Sequence, residues 1–209
     1  MENVKDIDGN SYKTVRIGDQ IWMAENLKVI HYRNGDLIPN ITDDNDWACT
    51  EEGAYCNYDN DESNVKTYGR LYNWFSVDDK RGLAPLGWHI PTTDEWDALM
   101  DNVEGDVEDD VYTGEVGKLI LESKEKADMR RLYGPRATNE SGFTALPGGS
   151  IEAASHFKFY HLGDESFFWS STEYDVLFSW YYRLVHFYCT SFKMNNNKGD
   201  GFSIRCVKD

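Results

Sequence analysis

The clearest pattern of apolar and polar positions lies near the middle of the chain and predicts a helix. The segment IPTTDEWDALMDNV contains Thr92 as an N-cap and Glu95 three residues later, which is the pattern of a capping box. Four apolar residues follow the spacing i, i+3, i+4 and i+7 of one helical face: Trp96, Leu99, Met100 and Val103. We therefore expect an amphipathic helix over this segment.

Two further segments show helical spacing. In YGRLYNWFSV, Leu71, Trp74 and Phe75 form one stripe, and Gly82 follows, so a helix is predicted over about 69 to 78. A weaker third helix is predicted through Val116, Leu119 and Ile120.

Both ends of the chain are typical of β structure. Near the N-terminus, the pairs Asp8-Gly9 and Gly18-Asp19 separate short apolar runs, as turns separate the strands of hairpins. At the C-terminus, GFSIRCV alternates, and a strand there would place Phe202, Ile204 and Cys206 on one face. The whole pattern predicts an α+β fold in a single domain over residues 1–209, with the helices in the middle of the sequence.

Residues 36–65 form a polar segment with nine acidic residues and no Lys or Arg. Such a composition favours a long surface loop with small local turns, whose acidic side chains are solvated.

The segment WYYRLVHFYCTSF, residues 180–192, is crowded with aromatic side chains, and no acidic residue occurs between Asp175 and Asp200. A strand would place Trp180, Tyr182, Leu184, His186 and Tyr188 on one face, and Tyr181, Arg183, Val185 and Phe187 on the other. Two apolar faces are typical of a central strand, which we expect for Trp180, Tyr181 and Leu184. An exposed aromatic patch with few charges is instead the composition of a binding surface, which we expect for His186 through Phe192.

Charge and hydropathy narrow the range of partners. The formal net charge is −16, with 37 acidic against 21 basic residues, so nucleic-acid phosphates and anionic membranes would be repelled. No run approaches the roughly 20 apolar residues of a membrane span, and MENVKDIDGN lacks the layout of a signal peptide. We expect a chain that either stays where it is made or has lost a leader.

Motifs for catalysis are absent from the sequence. It contains no HExxH, no GxSxG and no GxxxxGK[ST], and its five histidines are scattered. His89, in the GWHIP phrase before the central helix, is expected to be a packed, hydrogen-bonded imidazole. We therefore predict no catalytic residue and no cofactor.

Metal binding and disulfides have weak signals. Asp59, Asn60, Asp61 and Glu62 could gather oxygen ligands around Ca²⁺, but we expect them to be solvated and any Ca²⁺ or Na⁺ to be incidental. Cys56 and Cys206 are expected to be buried thiols, with a disulfide as the alternative, and Cys189 to be incidental.

Several phrases resemble one known family along nearly the whole chain. YCNYDN, YGRLYNWFSV, GLAPLGWHIPTTDEWDAL, SGFTALPGGS, WSSTEYD and GFSIRCVKD follow one another in the order seen in the Fibrobacter succinogenes major paralogous domain family. That family is similar to the C-type-lectin-like fold in the variant of formylglycine-generating enzymes. The resemblance implies two main helices, termini close together and a twisted antiparallel sheet whose last strands and loops present a ligand surface.

The resemblance does not extend to the chemistry of formylglycine-generating enzymes. Those enzymes use a closely spaced pair of cysteines near the C-terminus, whereas Cys189 and Cys206 are 17 positions apart. Lectins of this fold that bind sugar through Ca²⁺ use EPN or QPD and WND, none of which occurs here. We expect a protein that is not an enzyme.

A second resemblance concerns residues 175–194 alone. Domains of this fold are the usual variable proteins of diversity-generating retroelements, which rewrite adenine-containing codons near the 3′ end of a gene. Where family members carry Asn, Ser and Tyr, this chain reads DVLF and VHFYCTSF. The ligand-binding residues expected from this departure are Asp175, Val176, Leu177, Phe178, Tyr182, His186, Phe187, Tyr188, Cys189 and Phe192.

The sequence therefore predicts a ligand-binding module of the adhesin or receptor-binding type with a diversified surface. Its expected partner is a protein or glycan on another cell or host surface. Its expected location, if a leader was removed, is the cell surface or the extracellular space, and a phage-encoded equivalent is the alternative. The alternative is a fixed envelope module of the same family that binds polysaccharide through Trp and Tyr.

Overall fold

The computed structural model describes residues 2–103, 137–153 and 158–209, together with the backbone of 105–108 and 111–114. The strands of the N-terminal half are β1 (Val4–Lys5), β2 (Ser11–Tyr12), β3 (Thr14–Ile17), β4 (Gln20–Met23), β5 (Tyr55–Cys56), β6 (Leu71–Tyr72) and β7 (Trp88–His89). Those that follow are β8 (Gly105–Glu108), β9 (Val111–Gly114), β10 (Gly148–Glu152), β11 (Lys158–Leu162), β12 (Glu165–Glu173), β13 (Phe178–Val185), β14 (Thr190–Asn197) and β15 (Val207–Lys208).

The described helices are short and lie in the first half of the chain. They are α1 (Asp44–Cys49), α2 (Val65–Tyr68), α3 (Trp74–Val77) and α4 (Thr93–Asn102), with single 3₁₀ turns at Tyr58–Asn60 and Glu62–Asn64. Within the described residues α4 alone exceeds six residues, so the two main helices implied by the resemblance are not both present there.

Two sheets dominate the architecture. The larger has the order β11-β10-β12-β13-β14-β9-β8 and is antiparallel except for the pairing of β10 with β12. The smaller has the order β3-β4-β15-β7, so the last strand of the chain lies against the N-terminal hairpin, with Val207 opposite Trp22. The protein thus combines short helices with mostly antiparallel sheets, which agrees with the predicted α+β class.

The central helix is confirmed, including its capping box. The Thr92 hydroxyl accepts a hydrogen bond from the Glu95 N–H, and the Glu95 carboxylate accepts one from the Thr92 N–H. Its buried face packs on β12 and β13, where the Trp96 ring stacks on Tyr182 with centroids 5.0 Å apart.

The predicted helix over 69 to 78 is wrong except for the single turn of α3 (Trp74–Val77). Gly69 ends α2 at a φ of +76°, and β6 intervenes before α3 begins after its N-cap Asn73. A Cβ at Gly69 would lie 2.7 Å from the Asn26 Cβ, so close packing there requires glycine. The predicted helix through Val116, Leu119 and Ile120 lies outside the described residues.

The acidic segment 36–65 is more ordered than the predicted loop. Trp47 on α1 is fully buried and donates its indole N–H to the Gly199 carbonyl at 2.8 Å, and β5 pairs with β6. All nine acidic side chains of the segment are nevertheless exposed, which confirms their predicted solvation.

The C-terminal segment GFSIRCV, residues 201–207, runs through the interior; we call it the closing segment. Phe202, Ile204 and Cys206 are buried as predicted, but Ser203 and Arg205 between them are buried too. The segment is therefore enclosed on both sides, and it is not a half-exposed strand. Cys56 and Cys206 are buried free thiols, and burial raises the pKa of both; Cys189 is buried as well.

Candidate ligand-binding surface

The predicted ligand-binding segment folds as a hairpin whose two ends lie far apart. Residues 174–177 connect β12 to β13, and residues 186–189 connect β13 to β14. Because β13 has eight residues, the two connections are separated by roughly 25 Å. The single surface expected from the sequence is therefore divided.

Three of the predicted residues are buried and cannot touch a surface ligand. Tyr182 points at α4, where its hydroxyl lies 2.5 Å from the Asp97 carboxylate. His186 is 2% exposed, with its Nε2 2.7 Å from the Ser166 hydroxyl, and Cys189 is fully buried beside it. Their side chains complete the core under the sheet, so we remove them from the candidate site.

Of the three residues of β13 expected in a central strand, two are buried. Tyr181 and Leu184 are buried, on opposite faces of the strand, and Trp180 is half-buried. Tyr181 packs in an aromatic cluster against Trp169 and Phe202.

The most exposed of the predicted residues, Val176, lies in the connection before β13. Val176 is 85% exposed and Leu177 is 62% exposed, while Phe178 is half-buried at the start of the strand. Asp175 is exposed and shapes the turn, because its Oδ1 accepts the N–H groups of Leu177 and Phe178, each at 2.8 Å. We call residues 174–177 the apolar loop.

Lys198 fixes the backbone of the apolar loop. Its N–H donates to the Leu177 carbonyl at 3.0 Å, and its ammonium donates to the Val176 carbonyl at 3.1 Å. The buried ammonium also pairs with Glu173 and lies 4.6 Å from the centre of the Trp74 ring. Sequence reasoning missed this residue, whose sole signal is that it is the one basic residue between Lys193 and Arg205.

A groove runs along the apolar loop. It has a volume of about 590 Å³ and lies between Val176 and Leu177 on one side and the end of α1 on the other. Phe75, Ala153 and the Asn197–Gly199 backbone region complete most of its lining. We call this cavity the loop groove.

The second exposed region lies at the other end of the hairpin and on the outer face of β14. Tyr188 is exposed and contacts the half-buried Phe187 edge to face, with centroids 5.0 Å apart. Phe192 is half-buried opposite Arg183, whose guanidinium lies 5.8 Å from its ring. Arg183 is already paired with Glu165 through two hydrogen bonds, which raise the pKa of Arg183.

The described residues offer no cluster suited to a metal ion. No group of three or more His, Cys, Asp or Glu residues lies close enough in this part of the chain. At the predicted cation cluster, the Asp61 carboxylate caps the Ser63 N–H and Glu62 pairs with Arg70. No described helix is long and apolar enough to cross a membrane.

His89 is hydrogen-bonded as predicted, but it is only partly packed. Its Nε2 lies 2.7 Å from Glu95 and its Nδ1 2.7 Å from Asp209, so it bridges the start of α4 to the last residue. Burial alone would lower the pKa of His89, but the two carboxylates outweigh it and raise the pKa. Both ring nitrogens are occupied by this bridge.

Comparison with known proteins identifies the family. Residues 15–208 match the model of the Fibrobacter succinogenes major domain, and the chain belongs to that family. No curated protein and no solved structure matches the chain.

Proposed function

We propose that the protein is a non-enzymatic ligand-binding module whose apolar loop is the main contact surface. The observation that carries this proposal is the exposure of Val176 and Leu177 on a loop with a fixed backbone. Covering these exposed apolar side chains with a partner lowers the free energy of the complex. Little conformational entropy is lost on binding, because the backbone of the loop is already ordered.

The finer proposal is a C-type-lectin-like fold of the formylglycine-generating-enzyme type, used as the variable protein of a diversity-generating retroelement. Supporting features are the last strand, which pairs with the N-terminal hairpin, and the placement of residues 175–178, 187, 188 and 192 at exposed or half-buried positions. The partner would be a protein or glycan on another cell or host surface, met by an adhesin or receptor-binding protein at a cell or phage surface.

The test is a matched pair of exposed apolar substitutions. The protein is screened on a glycan array and against purified candidate surface proteins, and the affinity of each hit is measured for two variants. Leu177→Ser should weaken binding by roughly tenfold, whereas Leu37→Ser, at 61% exposure and outside the lining of the loop groove, should leave it unchanged. The apolar loop is refuted as the contact surface if the two substitutions change the affinity equally, or if neither changes the affinity for any hit.

A fixed carbohydrate-binding envelope module is the second candidate, and two contacts of Trp180 favour it. Tyr174 is half exposed and contacts Trp180 edge to face with centroids 5.0 Å apart, and the Lys193 ammonium lies 5.6 Å from the Trp180 ring. Aromatic faces beside a polar head suit the apolar face of a sugar ring.

The gene neighbourhood discriminates between the two candidates. A near-copy of the 3′ end of the gene beside a reverse-transcriptase gene would favour diversification. A locus that has neither the near-copy nor the reverse-transcriptase gene favours the fixed module.

A further inference from the structure

A second cavity adjoins the loop groove and is acidic. It has a volume of about 530 Å³, and the two cavities share Glu51 and Phe75 in their walls. The second cavity carries the carboxylates of Glu51, Glu52, Asp78 and Asp79 and the guanidinium of Arg81. We call this second cavity the acidic groove.

The one cation in the lining of the acidic groove is already neutralised. Arg81 donates to both oxygens of Asp79, at 2.9 and 2.7 Å, and lies 3.5 Å from Asp36. The Arg81 guanidinium lowers the pKa of Asp79. Lys80 lies between them in sequence but is not part of the lining.

Three carboxylates of the acidic groove therefore keep an uncompensated charge. Among the described residues, the side chains of Glu51, Glu52 and Asp78 have no ion pair, and all three are exposed. In the neighbouring loop groove the ammonium of Lys198 is bound to Glu173, so it does not offset them. The electrostatic potential where the two grooves meet is therefore negative, and it attracts cations.

A buried hydroxyl lies beneath this groove. Tyr32 is fully buried, and its hydroxyl, although close to Asp79 and Ser76, meets hydrogen-bond geometry with no described residue. A Cβ at Gly53 would lie only 2.0 Å from that hydroxyl, so glycine lets it approach the groove lining. The Tyr32 hydroxyl therefore borders the groove lining from the core side, close to the Asp79 carboxylate.

We propose that the two grooves together bind a lysine- or arginine-containing segment of a partner protein. The cationic head lies among Glu51, Glu52 and Asp78, and the aliphatic stem and a neighbouring apolar side chain pack on Phe75, Val176 and Leu177. An ammonium or guanidinium joined to an apolar stem matches an acidic cavity that opens onto an apolar one. The proposal rests on the proposed function, because Val176 and Leu177 supply its apolar half.

The test uses three capped hexapeptides of defined sequence against the full chain. Ac-GLKLKG-NH₂ is the cationic probe, Ac-GLELEG-NH₂ reverses its charge, and Ac-GLQLQG-NH₂ is neutral with the same apolar residues. We expect the cationic probe to bind most tightly, and to bind more weakly when NaCl is raised from about 0.05 to about 0.5 M. The triple variant Glu51→Gln, Glu52→Gln, Asp78→Asn should weaken the cationic probe by roughly tenfold and leave the neutral probe unchanged.

A charge-matched triple variant controls for the net charge of the protein. Glu2→Gln, Asp19→Asn, Asp101→Asn removes the same three charges at exposed positions away from the grooves and should leave the affinities unchanged. Equal binding of the three probes, or equal effects of the two triple variants, would overturn the cationic-segment proposal. If Leu177→Ser also leaves every probe and every glycan or protein hit unaffected, the proposed function fails as well; if it weakens them, the proposed function stands without the charge preference.

Discussion

Two buried ionisable residues, Asp200 and Arg205, lie five positions apart near the C-terminus, and the surrounding hydrogen bonds compensate the burial of their charges to different extents. Arg205 is 1% exposed and makes four hydrogen bonds, to the carbonyls of Met23, Phe143 and Thr144 and to the Asn26 side chain. Burial lowers the pKa of Arg205 to about 9, so it stays charged at neutral pH. The Asp200 carboxylate accepts a hydrogen bond from the Ala153 N–H at 2.8 Å.

Replacing Arg205 should be severely destabilising. In Arg205→Met the four acceptors lose their donor inside the core, and we expect the free energy of unfolding to fall by about 3–5 kcal/mol. Urea denaturation of the variant measures this change. Arg16→Met, at an exposed position on β3, is the control and should change the value by less than about 0.5 kcal/mol; a similar small loss at Arg205 would contradict its role.

Asp200 should make the protein more stable in mild acid. Burial, reinforced by the charge of Glu152 and opposed by the Ala153 hydrogen bond, raises the pKa of Asp200 to about 7. Because an unfolded Asp titrates near 4, the folded state binds the extra proton between those two pH values. This contribution to the free energy of unfolding therefore increases as the pH falls from about 8 to about 4.

The substitution that isolates this effect is Asp200→Asn, since Asn keeps an oxygen acceptor for Ala153 and loses the charge. We expect the variant to be more stable than the parent at pH 8, by on the order of 2–4 kcal/mol, and the difference to shrink below pH 5. Chemical denaturation at several pH values measures both curves. A difference that does not depend on pH would show that the burial of this charge costs nothing.

At the scale of the element, α4 is tied to the end of the chain. One oxygen of Glu95 completes the capping box and the other receives His89, which also contacts Asp209. Burial alone would raise the pKa of Glu95, but the hydrogen bonds to Thr92 and His89 lower it. The helix start, β7 and the C-terminal residue therefore share one chain of polar contacts.

His89→Gln should destabilise the protein chiefly at low pH. A His whose folded-state pKa is raised contributes stability that is complete below about pH 6.5 and is lost as the pH rises through the folded-state value. Since His89 is partly exposed, we expect the melting temperature of the variant to be lower by roughly 2 °C at pH 6 and unchanged at pH 9. In a protein that carries Asp209→Asn, the effect of His89→Gln on the melting temperature at pH 6 should be smaller. An equal loss of melting temperature at pH 6 and pH 9 would contradict the bridge.

At the scale of the whole molecule, repulsion among its acidic groups opposes folding. With a net charge of −16, raising NaCl from about 0.01 to about 0.5 M should raise the melting temperature by about 3 °C. Differential scanning calorimetry measures the rise. The variant Glu2→Gln, Asp19→Asn, Asp101→Asn should show a smaller rise, and an equal or larger one would indicate another origin.

Local signals predicted the elements that local physics determines. The period of Trp96 to Val103 and the capping box at Thr92 were sufficient for α4, and turn residues were sufficient for the β3–β4 hairpin. The helix over 69 to 78 failed because tight packing at Gly69 is a tertiary effect that periodicity does not contain. Helix α1 was missed because a single buried Trp47 gives no repeat.

The candidate site was predicted only in part for a similar reason. Alternation placed Tyr182 and His186 on one face of a strand, but the sequence does not say that α4 and the Ser166 hydroxyl cover that face. Val176 and Leu177, two of the predicted contact residues, are exposed. Lys198 and the two grooves depend on contacts between residues more than 20 positions apart, which no local pattern shows.

The hydrogen bonds from Lys198 to the apolar loop do not depend on which side chains the loop carries. Lys198 donates to the main-chain carbonyls of residues 176 and 177, and every amino acid supplies a carbonyl. Substitutions at these two positions that keep the backbone path thus alter the chemistry offered to a partner and preserve the scaffold. The protein has separated the part of the loop that can evolve from the part that must stay constant, within the same pair of residues.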